Sequence, residues 1–324
     1  MAVALKARPK PPTLVIVGEF FIDLVFYGLE TMPRLGEEVR STGYFETPGG
    51  GLATTALAAQ KLGTPTAAIA RVGADAVAQD TWPQLARAGI DTSACEVVAG
   101  MATARTACIA YAGDRMMVTH DPIHRQLDRL LRRPAARLLL AGARHVHLAC
   151  SLRQPERWLP AVRRLRARGV TLSADFGWSP GLNLAGLGPL LQELHFVFPN
   201  QHEAHALTGA RADERALARL GRLVRHPVIK QGAQGSLMLA DGRPLHAPAA
   251  GLGSGRTMVD ATGAGDAFNG GFLHAWLQGW SFADCLRAGN ICGAAAVTAG
   301  GGSAGLPDRR TFLARMGQSS RMQR

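Results

Sequence analysis

The stretch Val259-Asp260-Ala261-Thr262-Gly263-Ala264-Gly265-Asp266-Ala267-Phe268-Asn269-Gly270-Gly271 decides how this 324-residue chain is read. A Gly-Ala-Gly turn leads into a helix. In that helix Phe268, Phe272, Ala275 and Trp276 recur at helical spacing, so one face is anchored to a core. The start of such a helix points unpaired main-chain N–H groups back into the turn, and three small residues let a ligand come close to them. This makes an anion hole, suited to the negative charge on a transferring phosphoryl group. Asp266 opens the helix. An acidic residue there can simply stabilise the helix start. It can also take the proton from a hydroxyl attacking beside the anion hole.

Outward from this stretch, short apolar runs alternate with helical patterns. Strands are expected at Leu14–Val17, Thr66–Ala70, His145–Ala149, Val170–Asp175, Phe196–Pro199 and Val228–Lys230. Helices are expected at Leu52–Leu62, Ala76–Ala88, Glu156–Arg168, Glu214–Arg225, Asp266–Gln278 and Phe282–Ala299. Such alternation predicts βαβ units on a mostly parallel sheet. Two segments, 20–48 and 94–120, break the rhythm and predict a small antiparallel sheet outside the main one, placed as a lid or as a plain surface hairpin. One domain over 13–314 is expected, with flexible ends at 1–12 and 315–324.

The formal net charge is +12, yet Arg is spread along helices and no block of five like charges occurs. That argues against a nucleic-acid partner and for a basic surface that attracts anionic substrates such as ATP. The five cysteines form no C-x-x-C pair and are odd in number, which argues against a disulfide framework or zinc site and fits a reducing cytoplasm. No apolar run approaches the ~20 residues of a membrane span. Gly-Lys occurs nowhere, so a P-loop is excluded. No G-x-G-x-x-G follows the first strand, so a dinucleotide-binding domain is unsupported.

Four motifs in order carry a family resemblance. Asp260 to Phe268 resembles the C-terminal D-T-x-G-A-G-D signature of the ribokinase-like (PfkB) carbohydrate kinases. Pro48-Gly49-Gly50-Gly51-Leu52-Ala53-Thr54-Thr55-Ala56 resembles their N-terminal signature. Asn200-Gln201-His202-Glu203 is similar to their N-x-x-E segment, and Gln231-Gly232-Ala233-Gln234-Gly235 to their nucleotide-side loop. The resemblance implies a three-layer α/β/α fold with a mostly parallel central sheet and a small β lid. It implies an ATP-dependent kinase acting on a hydroxyl of a small sugar or sugar derivative.

In that reading Asp266 is the general base, and Gly263, Ala264 and Gly265 supply the anion hole. Asn200 and Glu203 hold magnesium through its waters, or else merely cap a helix. Asp23, Gly49, Gly50, Gly51 and Thr54 would contact the sugar, although Asp23 also suits a solvated turn. Lys230, Gly232, Gly235 and Asn290 would lie along ATP, with a solvated lysine and a plain polar helix position as the bland alternatives. Asp260, Thr262 and Ser303 occupy places where some relatives bind a monovalent cation such as K⁺.

The chain also departs from the family pattern. Position 54 is Thr where ribokinases proper carry Asn, and Ser151 stands at their mid-chain sugar-binding Glu. Phe176-Gly177-Trp178-Ser179 lacks the Arg common in fructokinase-like members, and Trp178 is a candidate to stack on a substrate ring. A nucleoside or vitamin-precursor kinase on the same scaffold, or a non-catalytic sugar or nucleotide sensor, are the rival readings. Exposed strand edges on the lid suggest a homodimer.

Overall fold

The computed structural model describes residues 12–321 apart from 113, 153, 178–182 and 254. Trp178 and Ser179 lie outside the described residues, as do 1–11 and 322–324 of the flexible ends expected at 1–12 and 315–324. The strands in chain order are β1 Leu14–Gly18, β2 Phe21–Tyr27, β3 Gly43–Gly49, β4 Thr66–Ile69, β5 Arg71–Gly73, β6 Glu96–Val98, β7 Ala104–Tyr111, β8 Asp114–His120, β9 His145–Ala149, β10 Thr171–Asp175, β11 Phe196–Val197, β12 His226–Lys230, β13 Ser236–Ala240 and β14 Arg243–Ala247. The helices are α1 Gly50–Lys61, α2 Ala76–Thr81, α3 Pro83–Arg87, α4 Pro134–Gly142, α5 Leu159–Ala167, α6 Leu184–Leu191, α7 Gln201–Thr208, α8 Asp213–Leu220, α9 Ala264–Leu277, α10 Phe282–Ala296 and α11 Arg309–Arg321.

Eight strands form the main sheet in the order β14-β13-β12-β11-β10-β9-β1-β4. The six from β12 to β4 run parallel, and the β13–β14 hairpin adds an antiparallel edge. Strand alternation sorts β1 into two cores. Leu14 and Ile16 join one core with α1, α9 and α10, while Val15 and Val17 join the other with α4, α5 and α6. Both faces are therefore covered, as a parallel sheet requires, and the three-layer architecture expected from the motifs is present. No helix among the described residues is long and apolar enough to cross a membrane.

Several elements depart from the expected pattern. The single helix expected over Ala76–Ala88 is two, because Pro83 lacks an N–H and starts α3 after a break at Trp82. The helix expected from Glu156 begins at Leu159, where Pro160 occupies the first turn. The β13–β14 hairpin was not anticipated, although its Asp241-Gly242 turn, with φ of 48° and 81°, is a strong local hairpin signal. Residues 315–321 continue α11, since Phe312 is buried and Arg287 donates to the Met316 carbonyl. The small sheet, in the order β3-β2-β7-β8, is mixed and not antiparallel, because β2 pairs parallel with β7.

A polar ladder runs through the middle of the main sheet. Thr171 Oγ1 donates to the Arg144 carbonyl at 3.0 Å, so His145 Nδ1 must donate to Thr171 at 2.7 Å. His145 Nε2 then accepts from Ser173 Oγ at 2.7 Å, and Ser173 Oγ in turn accepts from His147 Nδ1 at 2.7 Å. Burial holds both imidazoles below their usual range, His147 at about 4, so both stay neutral. One carbonyl thus fixes two tautomers. Ser173→Ala should leave two fully buried ring nitrogens unpaired and destabilise the fold by about 2–5 kcal/mol, read as a lower urea midpoint. A change under about 1 kcal/mol would contradict the ladder.

Candidate active site

The carboxyl ends of β1, β9, β10 and β12, the starts of α1, α7 and α9, and the lid meet at one cavity of about 370 Å³. This is where open parallel sheets bind ligands. Its wall includes Asp23, Gly50, Gly51, Asp175, Asn200, Glu203, Lys230, Gly263, Gly265 and Asp266. Phe21, Asp23, Thr106, Met117 and Thr119 reach it from β2, β7 and β8, so the small sheet roofs the cavity. A second slot of about 470 Å³ lies across the first turn of α9. Ala249, Leu252, Met258, Ala261, Phe268 and Val297 make it largely apolar. Lys230 and Gly265 line both spaces.

The start of α9 is built as the motif requires. Gly263 caps it with φ of 71°, a left-handed conformation that costs a residue with a side chain. No side chain caps this end, so helix geometry leaves the Gly265 and Asp266 amides without intrahelical acceptors. The Asp266 carboxylate therefore does not serve as the cap. It stands beside Gly51, where a Cβ would lie 3.1 Å from its Oδ1. Burial pushes the Asp266 carboxyl up to about 7, and the charges of Asp175, Glu203 and Asp23 add to that push.

Lys230 opposes them. It donates to Asp175 Oδ2 at 2.5 Å, and Asn269 of α9 donates to the same oxygen at 2.6 Å. Burial alone would raise Asp175, but the lysine and these hydrogen bonds outweigh it and hold the carboxyl down. The lysine is likewise held protonated by Asp175, Glu203 and Asp266 against its own burial. Lys230 is thus no solvated strand-end residue.

Asn200 and Glu203 form a full capping box at the start of α7. Asn200 Oδ1 accepts from the Glu203 amide at 2.9 Å, and Glu203 Oε2 from the Asn200 amide at 2.8 Å. The helix-cap alternative is therefore real, yet both residues also line the cavity. Glu203 Oε1 takes no part in the capping box, so it is the freest acceptor for a cation's water shell. Burial, then Asp175, push the Glu203 carboxyl up.

Other expected residues sit elsewhere. Thr54 is buried beneath the turn, where a Cβ on Gly263 would meet its Oγ1 at 3.2 Å, so it supports the anion hole from below. Gly49 packs against the Asp23 carboxylate. Gly232 and Gly235 line the apolar slot, as does Asn290, whose Nδ2 is spent on the Ala247 and Pro248 carbonyls. Asp260 accepts from the Thr262 and Gly301 amides at 2.9 and 3.0 Å, clasping the α9 turn to the loop that holds Ser303. Asp175, Asn269 and Glu19 were not singled out from the sequence. An Asp ending a buried strand is the signal that would have found Asp175.

This arrangement places a carboxyl of raised pKa, an anion hole and a buried lysine between a polar and an apolar cavity. That defines a phosphotransferase with two neighbouring substrates. The chain belongs to the pfkB family of carbohydrate kinases, whose pattern matches residues 12–309. Its chemistry is ATP-dependent phosphorylation of a sugar or nucleoside hydroxyl. The chain is 27% identical over 320 residues to a ribokinase of Haemophilus influenzae, covering 93% of this chain and 97% of that protein. It is 25% identical over 324 residues to a deoxyribokinase of Salmonella typhimurium, covering 92% and 97%. It superposes with a TM-score of 0.77 on Arabidopsis thaliana ribokinase complexed with ribose and ATP, at 24% identity, over 94% of this chain and 98% of that one.

Lys230→Met should strand Asp175 as a buried charge and destabilise the fold by about 3–5 kcal/mol. Adding Asp175→Asn should recover part of that loss. A double variant no more stable than Lys230→Met in thermal melts would contradict the pairing.

Proposed function

We propose that the 370 Å³ cavity takes a small sugar or sugar derivative and the 470 Å³ slot takes the adenosine of ATP. The observation that carries this is the pair of residues shared by both spaces, Lys230 and Gly265, at the start of α9. A γ-phosphoryl placed there sits between donor and acceptor, against the anion hole of Gly263, Ala264 and Gly265. Asp266 takes the acceptor hydroxyl's proton as that oxygen attacks phosphorus in line, and ADP leaves. Asp23, Gly50 and Gly51 hold the sugar, and the β2-β3-β7-β8 sheet closes over it to exclude water.

Magnesium suits Glu203, with one carboxylate oxygen left after the capping box and Asn200 holding that side chain in place. When bound it would offset phosphate charge. For K⁺, the carboxylate of Asp260 and the neighbouring Thr262 and Ser303 are the candidates; the loop clasp leaves the Asp260 oxygens further lone pairs. Activity higher in K⁺ than in Li⁺ would support that role.

The lid also suggests a homodimer. Met116, Met117 and Val118 follow one another along edge strand β8, point to alternate faces, and are 56%, 55% and 75% exposed. Val118→Lys should shift the chain to monomer in light-scattering chromatography. A wild-type chain that is already monomeric removes the dimer. The free cysteines fit a reducing cytoplasm as the place of action.

Asp266→Asn should keep the melting temperature within a few degrees and lower kcat by about 10²–10⁴. The base must be deprotonated, so kcat/KM for the acceptor should fall as pH drops through about 7, the value to which Asp266 is raised. An acid limb centred below about pH 5, near an ordinary carboxyl, would contradict Asp266 as a base held in this environment.

A further inference from the structure

Glu19 follows β1 and lines two spaces: the acceptor cavity, and a neighbouring one of about 430 Å³ bounded by Asp121, His124, Ser151 and Arg157. Its Oε1 accepts from the Ser151 amide at 3.2 Å and from Ser151 Oγ at 2.8 Å. Its Oε2 has no hydrogen-bond partner among the described residues. Glu19 is only partly buried, so this oxygen is open to a donor brought into the cavity.

No described residue donates to it in this arrangement. Ser151 spends its one hydroxyl hydrogen on Oε1. Glu19, Asp121 and His124 offer ligand atoms within 4.8 Å of one another, which raises the question of a metal ion. The imidazole answers it. His124 Nε2 accepts the Phe20 amide hydrogen at 3.1 Å, so its one lone pair is spent. Nδ1 then carries the ring proton, 2.9 Å from Asp121 Oδ1. That N–H lies close to Asp121 without good hydrogen-bond geometry, and the ring has no lone pair for a metal. Arg157 is likewise engaged, with Asp128 at 3.2 Å and Gln154 at 2.7 Å.

A molecule that fills the cavity can therefore bring a donor to Oε2. We propose that Glu19 is a specificity-determining residue whose Oε2 accepts a hydrogen bond from an acceptor hydroxyl remote from the one phosphorylated. This rests on the acceptor reading of the 370 Å³ cavity. The Pro48–Leu52 turn brings the two grips together: Gly49 packs against the Asp23 carboxylate and Gly50 against the Glu19 carbonyl, while Gly51 faces Asp266. A polyol laid on these glycines meets Asp23 and Glu19 at separate hydroxyls and offers a third to Asp266. Burial pushes the Glu19 carboxyl up, while His124 and Ser151 oppose that rise. A bound hydroxyl donor stabilises the carboxylate further.

Glu19→Gln tests the assignment in the full chain. ADP release is measured with D-ribose, D-fructose, 2-deoxy-D-ribose, inosine and cytidine, then with monodeoxy analogues of the best acceptor. For that acceptor, KM should rise about 10- to 100-fold, the loss of one charged hydrogen bond, with kcat within about threefold and KM for ATP unchanged. For the one analogue that lacks the gripped hydroxyl, wild type and variant should have the same KM. An unchanged KM on the parent overturns the assignment. So does an equal loss on the parent and every analogue, the mark of a merely structural residue. A wild type that turns over nothing in the panel instead overturns the acceptor reading itself, and this assignment with it.

Discussion

One buried lysine stands among more carboxylates than it can neutralise, and the site depends on that imbalance. Lys230 is bound to Asp175 at 2.5 Å, while Glu203 and Asp266 also act on it. Once the Lys230–Asp175 pair is made, Glu203 and Asp266 share a confined space with little positive charge left over. Poor solvation first, and Coulomb repulsion after it, favour the protonated acid, and both carboxyls are shifted upward. A carboxyl at 3.8 is too weak a base to activate an alcohol at neutral pH, whereas one near 7 is matched to the task. Burial, with the crowding of carboxylates added to it, is therefore the source of basicity.

The same imbalance shapes how the two substrates affect each other. In the proposed reading, nucleotide phosphates would bring more negative charge to the start of α9, beside its helix amides and Lys230. A divalent ion at Glu203 would balance that charge. Gly51 in the Pro48–Leu52 turn keeps a side chain away from the Asp266 carboxyl, which a Cβ there would approach to 3.1 Å. The small sheet contributes Asp23 and Thr106 to the cavity from its underside, so in the proposed reading closing the roof and gripping the acceptor would be one event.

Much of this was legible in the sequence. The parallel core could be read from alternating apolar runs, because strands buried on both faces leave an unmistakable pattern. The α9 turn could be read because only glycine and alanine permit the backbone conformation and approach it needs. Thr54 could not be placed, since a threonine beneath a turn and one facing a sugar look alike in a helix sequence. Asp175, Asn269 and Glu19 were hidden for a related reason. Each owes its role to partners 55, 94 and 132 residues away, and no local spacing encodes such a meeting. The β13–β14 hairpin is different: its Asp-Gly turn was available and overlooked.

The most direct test is a ¹³C NMR titration of the aspartate carboxyls in the nucleotide-free chain, with Asp266→Asn to assign the signal. The account predicts a carboxyl titrating near 7 that disappears in that variant. It also predicts that the signal moves to lower pH when Asp175→Asn removes the neighbouring charge and leaves Lys230 to Asp266 and Glu203. An Asp266 signal titrating near 4, unmoved by Asp175→Asn, would contradict it.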